Sequence, residues 1–298
     1  MSERFPHVLN VIAKDARLLA EEMRALGHAD WLHEDHAFDI PFAGDPTDVF
    51  TAARSAAASA VADINVVSAA RRRKRLLIAD MDSTIISCEC LDELADMADL
   101  KPQVAAITER AMRGEIEFAG ALRERVMLLK GLPLAALERV YRERVRLNPG
   151  ARALTATMRA HGAKTLLVSG GFTYFTRRVA ADAGFDAEQG NTLLDDGAAL
   201  LGMVAEPILG REAKLAALQA ALAAASLEPA DALAVGDGAN DLAMIGYAGL
   251  GVAWHAKPVV AAAAGASIAH GDLTALLYLQ GYKEDEIVQP VSVSRNAT

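Results

Sequence analysis

The sequence predicts an α/β fold built on a doubly wound parallel sheet, and three strand-like runs with their sequels predict it. Leu76-Leu77-Ile78-Ala79, Thr165-Leu166-Leu167-Val168 and Ala232-Leu233-Ala234-Val235 are short and continuous rather than alternating, as interior parallel strands are. Each is followed at once by a polar motif: Asp80-Met81-Asp82-Ser83-Thr84, Ser169-Gly170-Gly171-Phe172-Thr173 and Gly236-Asp237-Gly238-Ala239-Asn240-Asp241. Open α/β sheets carry their sites beyond the carboxyl ends of parallel strands, so the three motifs are expected on one edge of one sheet.

Along the chain, His7 to Ala13 reads as a strand and is followed by an amphipathic helix to about Leu26. The extended run Ala37 to Phe42 precedes an alanine-rich helix from Asp48. This β-α-β-α order assigns residues 1–70 to a small α/β module suited to regulation or dimerisation. His33-Glu34-Asp35-His36 has metal-like spacing but reads as a polar loop. Arg71-Arg72-Arg73-Lys74-Arg75 is short and belongs to a chain of net charge −9, so it reads as a solvated linker rather than a nucleic-acid site. The sheet-bearing core is expected over 71–87 and 149–285, with residues 88–148 inserted after the first core strand. Those inserted residues are rich in Leu, Ala, Arg and Glu at helical spacing, which describes a small helical cap. Within it Leu122, Val126 and Leu129 form an i, i+4, i+7 stripe. Arg125 shares that apolar side, whereas Arg123 and Glu124 face away. A buried arginine needs an anionic partner, and Glu117 or Glu124 would serve. Lys214 opens an alanine-rich helix before the last motif. The end, Val291 to Thr298, is polar and expected to fray.

Asp80 and Asp82 are two residues apart at a strand end. Two acids there repel in an apolar setting, and a fold alone has no use for them. A divalent cation does, and so does chemistry needing one carboxylate as nucleophile and another as proton donor. Taken singly, each motif has a plainer reading: Asp and Ser also cap helices, and Ser-Gly-Gly also makes ordinary turns.

Together, in this order, the motifs resemble the haloacid dehalogenase superfamily of phosphatases. More narrowly, DMDSTIISCECLDELA from Asp80, ITERAMRGEIEF, LRERV, SGGFTYF and GDGANDLAMI are similar to the phosphoserine phosphatases. The resemblance covers roughly residues 74 to 280. It implies magnesium-dependent hydrolysis of O-phospho-L-serine to L-serine and phosphate, the last step of serine biosynthesis. It implies Asp80 as the nucleophile that becomes an aspartyl-phosphate, and Asp82 as general acid and then base. Magnesium would be held by Asp80, Asp237 and the backbone carbonyl of Asp82. Attack brings a carboxylate toward a phosphate dianion, and like charges about 4 Å apart cost about 4 kcal/mol at an effective dielectric of 20; the cation and Lys214 would offset this. Ser169 and the amides of Gly170 and Gly171 would bind phosphoryl oxygens. By the same resemblance Arg125 takes the substrate carboxylate, Glu89 its ammonium, and Met112 and Phe118 close over the site. Asn240 would bond near the phosphate, and Asp241 would hold a metal-bound water.

A dehalogenase expels a halide without needing a proton, so the second Asp argues against that branch. A P-type pump has Thr there and membrane helices, whereas this sequence has no uncharged apolar stretch of about 20 residues. Two rivals stand: a phosphatase or phosphotransferase on another small substrate such as phosphohomoserine, and an amino-acid-sensing regulator on an inactive phosphatase scaffold. Intact Asp80, Asp82, Ser169, Lys214 and Asp237 weigh against the second. Phosphoserine phosphatases sometimes carry an N-terminal ACT module, but residues 1–70 lack the glycine-rich first turn expected of one. Cys88 and Cys90 are too few for a disulfide framework or a structural zinc site and read as small apolar residues under the cap. The start, Met-Ser-Glu-Arg-Phe-Pro-His, has no apolar signal core. The reading is therefore a soluble, cytoplasmic enzyme, a monomer or homodimer, acting on a small molecule without nucleic-acid or membrane partners.

Overall fold

The computed structural model describes residues 5–113 and 115–289; the expected frayed end at Val291–Thr298 and the Met112 side chain lie outside the described residues. The core sheet has six strands in the order β12-β11-β10-β5-β6-β7, all paired in parallel. They are β5 (Leu76–Ala79), β6 (Lys164–Phe172), β7 (Ala187–Asn191), β10 (Ala232–Gly236), β11 (Leu250–Trp254) and β12 (Ala266–Ile268). From β5 the chain builds outward through β6 to β7, then returns to β10 on the other side of β5 and builds outward again. The strand order therefore reverses between β5 and β10, the switch point at which open α/β sheets hold their ligands.

Alternation along the strands assigns the two faces. Leu76, Ile78, Leu166, Val168, Ala232 and Ala234 pack on α9 (Arg211–Ala225) and α10 (Leu242–Tyr247). Leu77, Ala79, Leu167, Leu233 and Val235 face the other way, toward α7 (Ala151–Ala160), α8 (Thr173–Ala183) and α12 (Ala275–Leu279). Each buried leucine here contributes roughly 2 kcal/mol by removal from water. The short α11 (Pro258–Ala263) packs beside α10 on β11, while a β-hairpin, β8 (Leu193–Asp195) with β9 (Leu200–Val204), stands outside this layer.

After β5 the chain leaves the core for four helices, α3 (Cys90–Met97), α4 (Lys101–Met112), α5 (Phe118–Leu128) and α6 (Leu134–Glu143). Its outgoing and returning limbs are zipped together: Ser87 N donates to Arg146 O at 3.0 Å and Asn148 N to Ile85 O at 2.8 Å.

Residues 5–68 run β1 (His7–Ala13), α1 (Ala16–Glu22), β2 (Asp30–His33), β3 (Ala37–Phe42), α2 (Pro46–Ala56) and β4 (Ala62–Ser68). This is a β-α-β-β-α-β unit whose antiparallel sheet has the order β2-β3-β1-β4. β1 and β3 have the bounds read from the sequence. The reading has no counterpart for β2 and β4, because Asp63 and Asn65 break the apolar run that would announce β4. α1 is shorter than read, giving way to a 3-10 turn at Arg24–Leu26. α2 starts earlier, at Pro46, where the Asp45 carboxylate accepts the Thr47 and Asp48 N–H groups at 2.8 and 3.2 Å.

One face of this small sheet carries Leu9, Val11, Phe38, Ile40 and Ile64 under α1 and α2. The alternate face meets the core and is half polar: Asn10, Asp39, Asp63 and Asn65 are all buried. Each has a partner. Asp63 accepts the N–H groups of Ala269 and Gly271 at 2.7 Å each, and Asn65 exchanges two bonds with the Ser267 backbone. Asn10 Nδ2 donates to Asp39 at 2.8 Å and to Tyr278 O at 3.2 Å.

The basic run corrects the solvated-linker reading. Arg72 pairs with Asp39 and donates to Leu279 O at 2.8 Å and Tyr278 O at 3.0 Å, the carbonyls left open at the end of α12. Lys74 is buried, its Nζ giving 2.8 Å bonds to Arg71 O and Ala230 O. Arg73 lies 4.3 Å over the Tyr282 ring. A charge run looks solvated when its acceptors are tertiary and far off in sequence. His33 and His36 likewise belong to this junction, stacked edge-on with Tyr278. Among the described residues no helix is long and apolar enough to cross a membrane.

Breaking the Arg72–Asp39 pair leaves a buried carboxylate. Arg72→Ala is expected to lower unfolding free energy by about 3 kcal/mol, read from urea denaturation midpoints against the wild type.

Candidate active site

The three strand-end motifs converge beyond β5, β6 and β10. Asp80 follows Ala79 directly, and its N–H still bonds Val235 O of β10 at 3.0 Å. The chain then breaks into a tight turn over Met81–Ile85, with Ser83 in the left-handed region at φ 56°. Asn148, from the returning cap limb, donates to Thr84 O at 2.7 Å and braces this turn.

Charge dominates the centre. Asp80, Asp237 and Asp241 each bring a carboxylate oxygen within 4.8 Å of the others. Lys214 Nζ lies 2.7 Å from Asp80 Oδ1 and 2.6 Å from Asp241 Oδ1, and its side chain is 3% exposed. Burial alone would lower the ammonium pKa, but Asp80 and Asp241 outweigh it and hold Lys214 above its ordinary value. Burial pushes the Asp80 carboxyl up, Lys214 opposes this and Asp241 adds to it. Asp237 is raised as well, by burial first and Asp241 second. With one ammonium facing three carboxyl groups, two of them pushed toward the neutral form, the cluster is short of positive charge. An all-oxygen donor set with that shortage fits a hard divalent cation.

Asp241 has little freedom within the cluster. Its Oδ1 is held by Lys214 and its Oδ2 accepts Gly238 N–H at 3.0 Å, so Asp80 and Asp237 are the better direct ligands. Asp237 is aimed by Thr84, whose hydroxyl donates to it at 3.1 Å.

Asp82 lies beside this centre. Its Oδ1 accepts Cys90 N–H at 3.1 Å, and Ser169 Oγ is 3.4 Å from Oδ2. Burial, with Glu89 second, pushes its pKa up to about 7. A carboxyl poised there gives and takes a proton at neutral pH with equal ease.

Ser169 is buried at the end of the apolar part of β6 and accepts Gly171 N–H at 2.8 Å. A side chain two residues on would disturb this pair: a Cβ at 171 would come within 2.8 Å of Asp82 Oδ2 and 3.0 Å of Ser169 Oγ. Asn191 fixes the loop from behind, donating to Gly170 O at 2.9 Å and to Leu209 O at 3.2 Å while accepting Leu209 N–H.

Asp80, Asp82, Asp237 and Ser169–Gly171 floor a cavity of about 420 Å³ whose roof is the helical insertion, with Lys214 and Asp241 behind that floor. Glu89, Arg125, Phe118 and Asn240 all line it. Glu89 Oε1 accepts the Ser83 hydroxyl at 2.7 Å. Arg125 donates its Nε to Ala121 O of its own helix at 3.3 Å. Burial lowers its pKa, while Asp92 and Glu89 work against that. Glu124, one of the partners considered for it, is instead bound to Arg110 at 2.9 Å. Phe118 stands against the Ser169–Gly171 loop, 3.2 Å from where a Cβ at 170 would sit. A larger cavity, about 660 Å³, opens between the N-terminal sheet and the core, but the carboxylate centre is in the smaller one.

The model of the haloacid dehalogenase-like hydrolases matches residues 77–245, which spans all three motifs. The chain belongs to this family. A phosphoserine phosphatase of Polaromonas sp. is 49% identical over 210 residues, covering 69% of this chain and 89% of its own length. Among solved structures, a haloacid dehalogenase family hydrolase from Salmonella enterica serovar Typhi superposes with a TM-score of 0.83 at 28% identity. It covers 94% of this chain and all of its own. A probable phosphoserine phosphatase from Vibrio cholerae, unliganded, gives 0.78 at 30% identity, covering 96% and 90%. The likeness to both structures therefore includes the N-terminal unit.

Sequence reasoning missed Thr84, Asn148 and Asn191, which act through residues the motifs did name. Thr84 was within reach, since it closes the first motif; Asn148 and Asn191 carry no local signal. Outer residues that aim a metal ligand are worth about tenfold or more in metal affinity. Thr84→Val is expected to weaken binding of a divalent cation by about that factor, measured by calorimetric titration of the folded protein.

Proposed function

We propose that this hydrolase cleaves O-phospho-L-serine to L-serine and phosphate, with magnesium held by Asp80, Asp237 and the Asp82 carbonyl. The observation that carries the reading is one cavity with a phosphoryl-type centre on its floor and an acid and a base, Glu89 and Arg125, on its walls. A phosphate monoester that also bears an ammonium and a carboxylate matches that set. The similarity to proteins named phosphoserine phosphatase supports it.

Asp80 attacks phosphorus and the bond from phosphorus to the serine oxygen breaks. Asp82 gives its proton to that oxygen as it leaves, because an alkoxide is a poor leaving group. The product on the enzyme is an aspartyl-phosphate at residue 80. Asp82, now ionised, takes a proton from water; the water oxygen attacks phosphorus and the Asp80 carboxylate is released with phosphate. Ser169, the amides of Gly170 and Gly171, and Lys214 meet the charge spread over the phosphoryl oxygens. A bound magnesium ion supplies the positive charge that lets a carboxylate approach a phosphate dianion. Arg125 and Glu89 hold the amino-acid end, and Phe118 with the cap helices excludes water.

Asp80→Asn, or removal of divalent metal with EDTA, is expected to abolish phosphate release from O-phospho-L-serine. Arg125→Ala is expected to raise KM for that substrate by about a hundredfold, the cost of losing a charged hydrogen-bonded pair. Its turnover of p-nitrophenyl phosphate should change by less than about threefold. Asp82→Asn should slow phosphoserine cleavage by about a hundredfold or more. With p-nitrophenyl phosphate, whose leaving group needs no proton, the same variant should still show a burst of nitrophenol. Arg125→Ala losing both substrates equally would count against the amino-acid assignment.

A further inference from the structure

The wall that carries Arg125 is gripped from outside the cap. The β8–β9 hairpin pairs with no strand of the core sheet. Its ladder continues instead into the loop between α5 and α6: Gly131 N donates to Leu200 O at 2.8 Å, Leu200 N to Leu132 O at 2.9 Å, and Leu134 N to Ala198 O at 2.9 Å. Leu193 and Leu200 share a buried cluster with Leu122, Val126 and Leu129. Arg123, on the side of α5 away from Arg125, gives Glu206 two bonds at 3.1 and 2.6 Å. Gly202, at φ +71°, lies so close to α5 that a Cβ there would be 2.8 Å from Lys130 Cβ and 3.2 Å from Met127 O.

The other end of the hairpin is anchored at the phosphate side. Asn191, just before β8, ties the Gly170 carbonyl to Leu209, and Glu206, just after β9, also accepts Ile208 N–H at 3.2 Å. One rigid two-stranded unit thus links the loop that binds phosphoryl oxygens to the helix that carries Arg125.

We infer that the β8–β9 hairpin is a ruler: it sets the span between the phosphoryl site and Arg125, and so the length of amino acid accepted. The inference rests on the phosphoserine reading. Among the described residues the hydrogen bond Arg125 makes is to Ala121 O of its own helix, so its guanidinium goes where α5 goes. The hairpin grips the half of α5 beyond Arg123, leaving Phe118, at the helix start, near its place on the phosphate loop when the grip loosens. Gly202, Arg123 and Glu206 are positioning residues in this arrangement and touch no substrate.

The test is steady-state kinetics on O-phospho-L-serine, O-phospho-L-homoserine and p-nitrophenyl phosphate. Gly202→Ala and Arg123→Glu are expected to raise KM for phosphoserine about tenfold, with p-nitrophenyl phosphate turnover within about twofold. Preference for phosphoserine over its longer homologue should fall, a single methylene being worth about tenfold or more in a fitted site. Adding Glu206→Arg to Arg123→Glu should restore KM, and Gly202→Ala should add nothing in an Arg125→Ala background. Unchanged phosphoserine KM in both single variants, or equal losses on all three substrates, would overturn the ruler. If Gly202→Ala does not fold, the Arg123→Glu variant and its rescue decide alone. A wild type silent on phosphoserine overturns the substrate reading instead.

Discussion

An ammonium buried between two carboxylates is the constraint on which the catalytic edge depends. Lys214, Asp80 and Asp241 come from three separate segments, and none is tolerable there without the others: removing one leaves an uncompensated charge in a water-poor setting. Their meeting fixes where α9 starts relative to β5 and β10 and keeps Asp80 at the strand end rather than in the turn that follows. Yet the arrangement is short of positive charge. A divalent cation that bound only the assembled cluster would stabilise the fold as well as offset that shortage.

The same economy of partners recurs at a distance from the chemistry. Asn10, Asp39, Asp63 and Asn65 are buried, Arg72 is partly buried, and each is bonded across the junction between the small sheet and the core or its linker. Polar bonds of this kind contribute modestly when made and cost more when broken. The junction therefore selects one docking geometry, in contrast to an apolar contact that tolerates sliding.

How much of this was legible follows from where the information lies. β5, β6 and β10 are announced by continuous apolar runs, and the acids at 80, 82 and 237 by motifs directly after them. Every one of these is a local pattern. β4 was not legible, because its inward residues are Asp63 and Asn65, polar groups whose acceptors and donors lie some 200 residues on. A similar distance separates Arg72 from the α12 carbonyls it bonds, and its pairing with Asp39, 33 residues earlier, crosses from one sheet unit to the linker. Arg125 was legible as an inward arginine from its stripe, whereas Asn191, which braces the Ser169–Gly171 loop, has nothing around it to set it apart. The hairpin escaped notice since Leu193–Asp195 is only three residues long and pairs outside the sheet.

The half-polar face of the N-terminal sheet has a consequence for how the chain is made. Asn65 precedes its partner Ser267 by 202 residues, so at roughly 5–20 residues per second the ribosome takes about 10–40 s to supply the surface that covers it. For that interval the sheet is exposed. A wholly apolar face would be open to other nascent chains throughout; one studded with Asn10, Asp39, Asp63 and Asn65 is wetted by water until its own partner emerges. The polar groups that later choose the docking geometry first serve as protection against premature association.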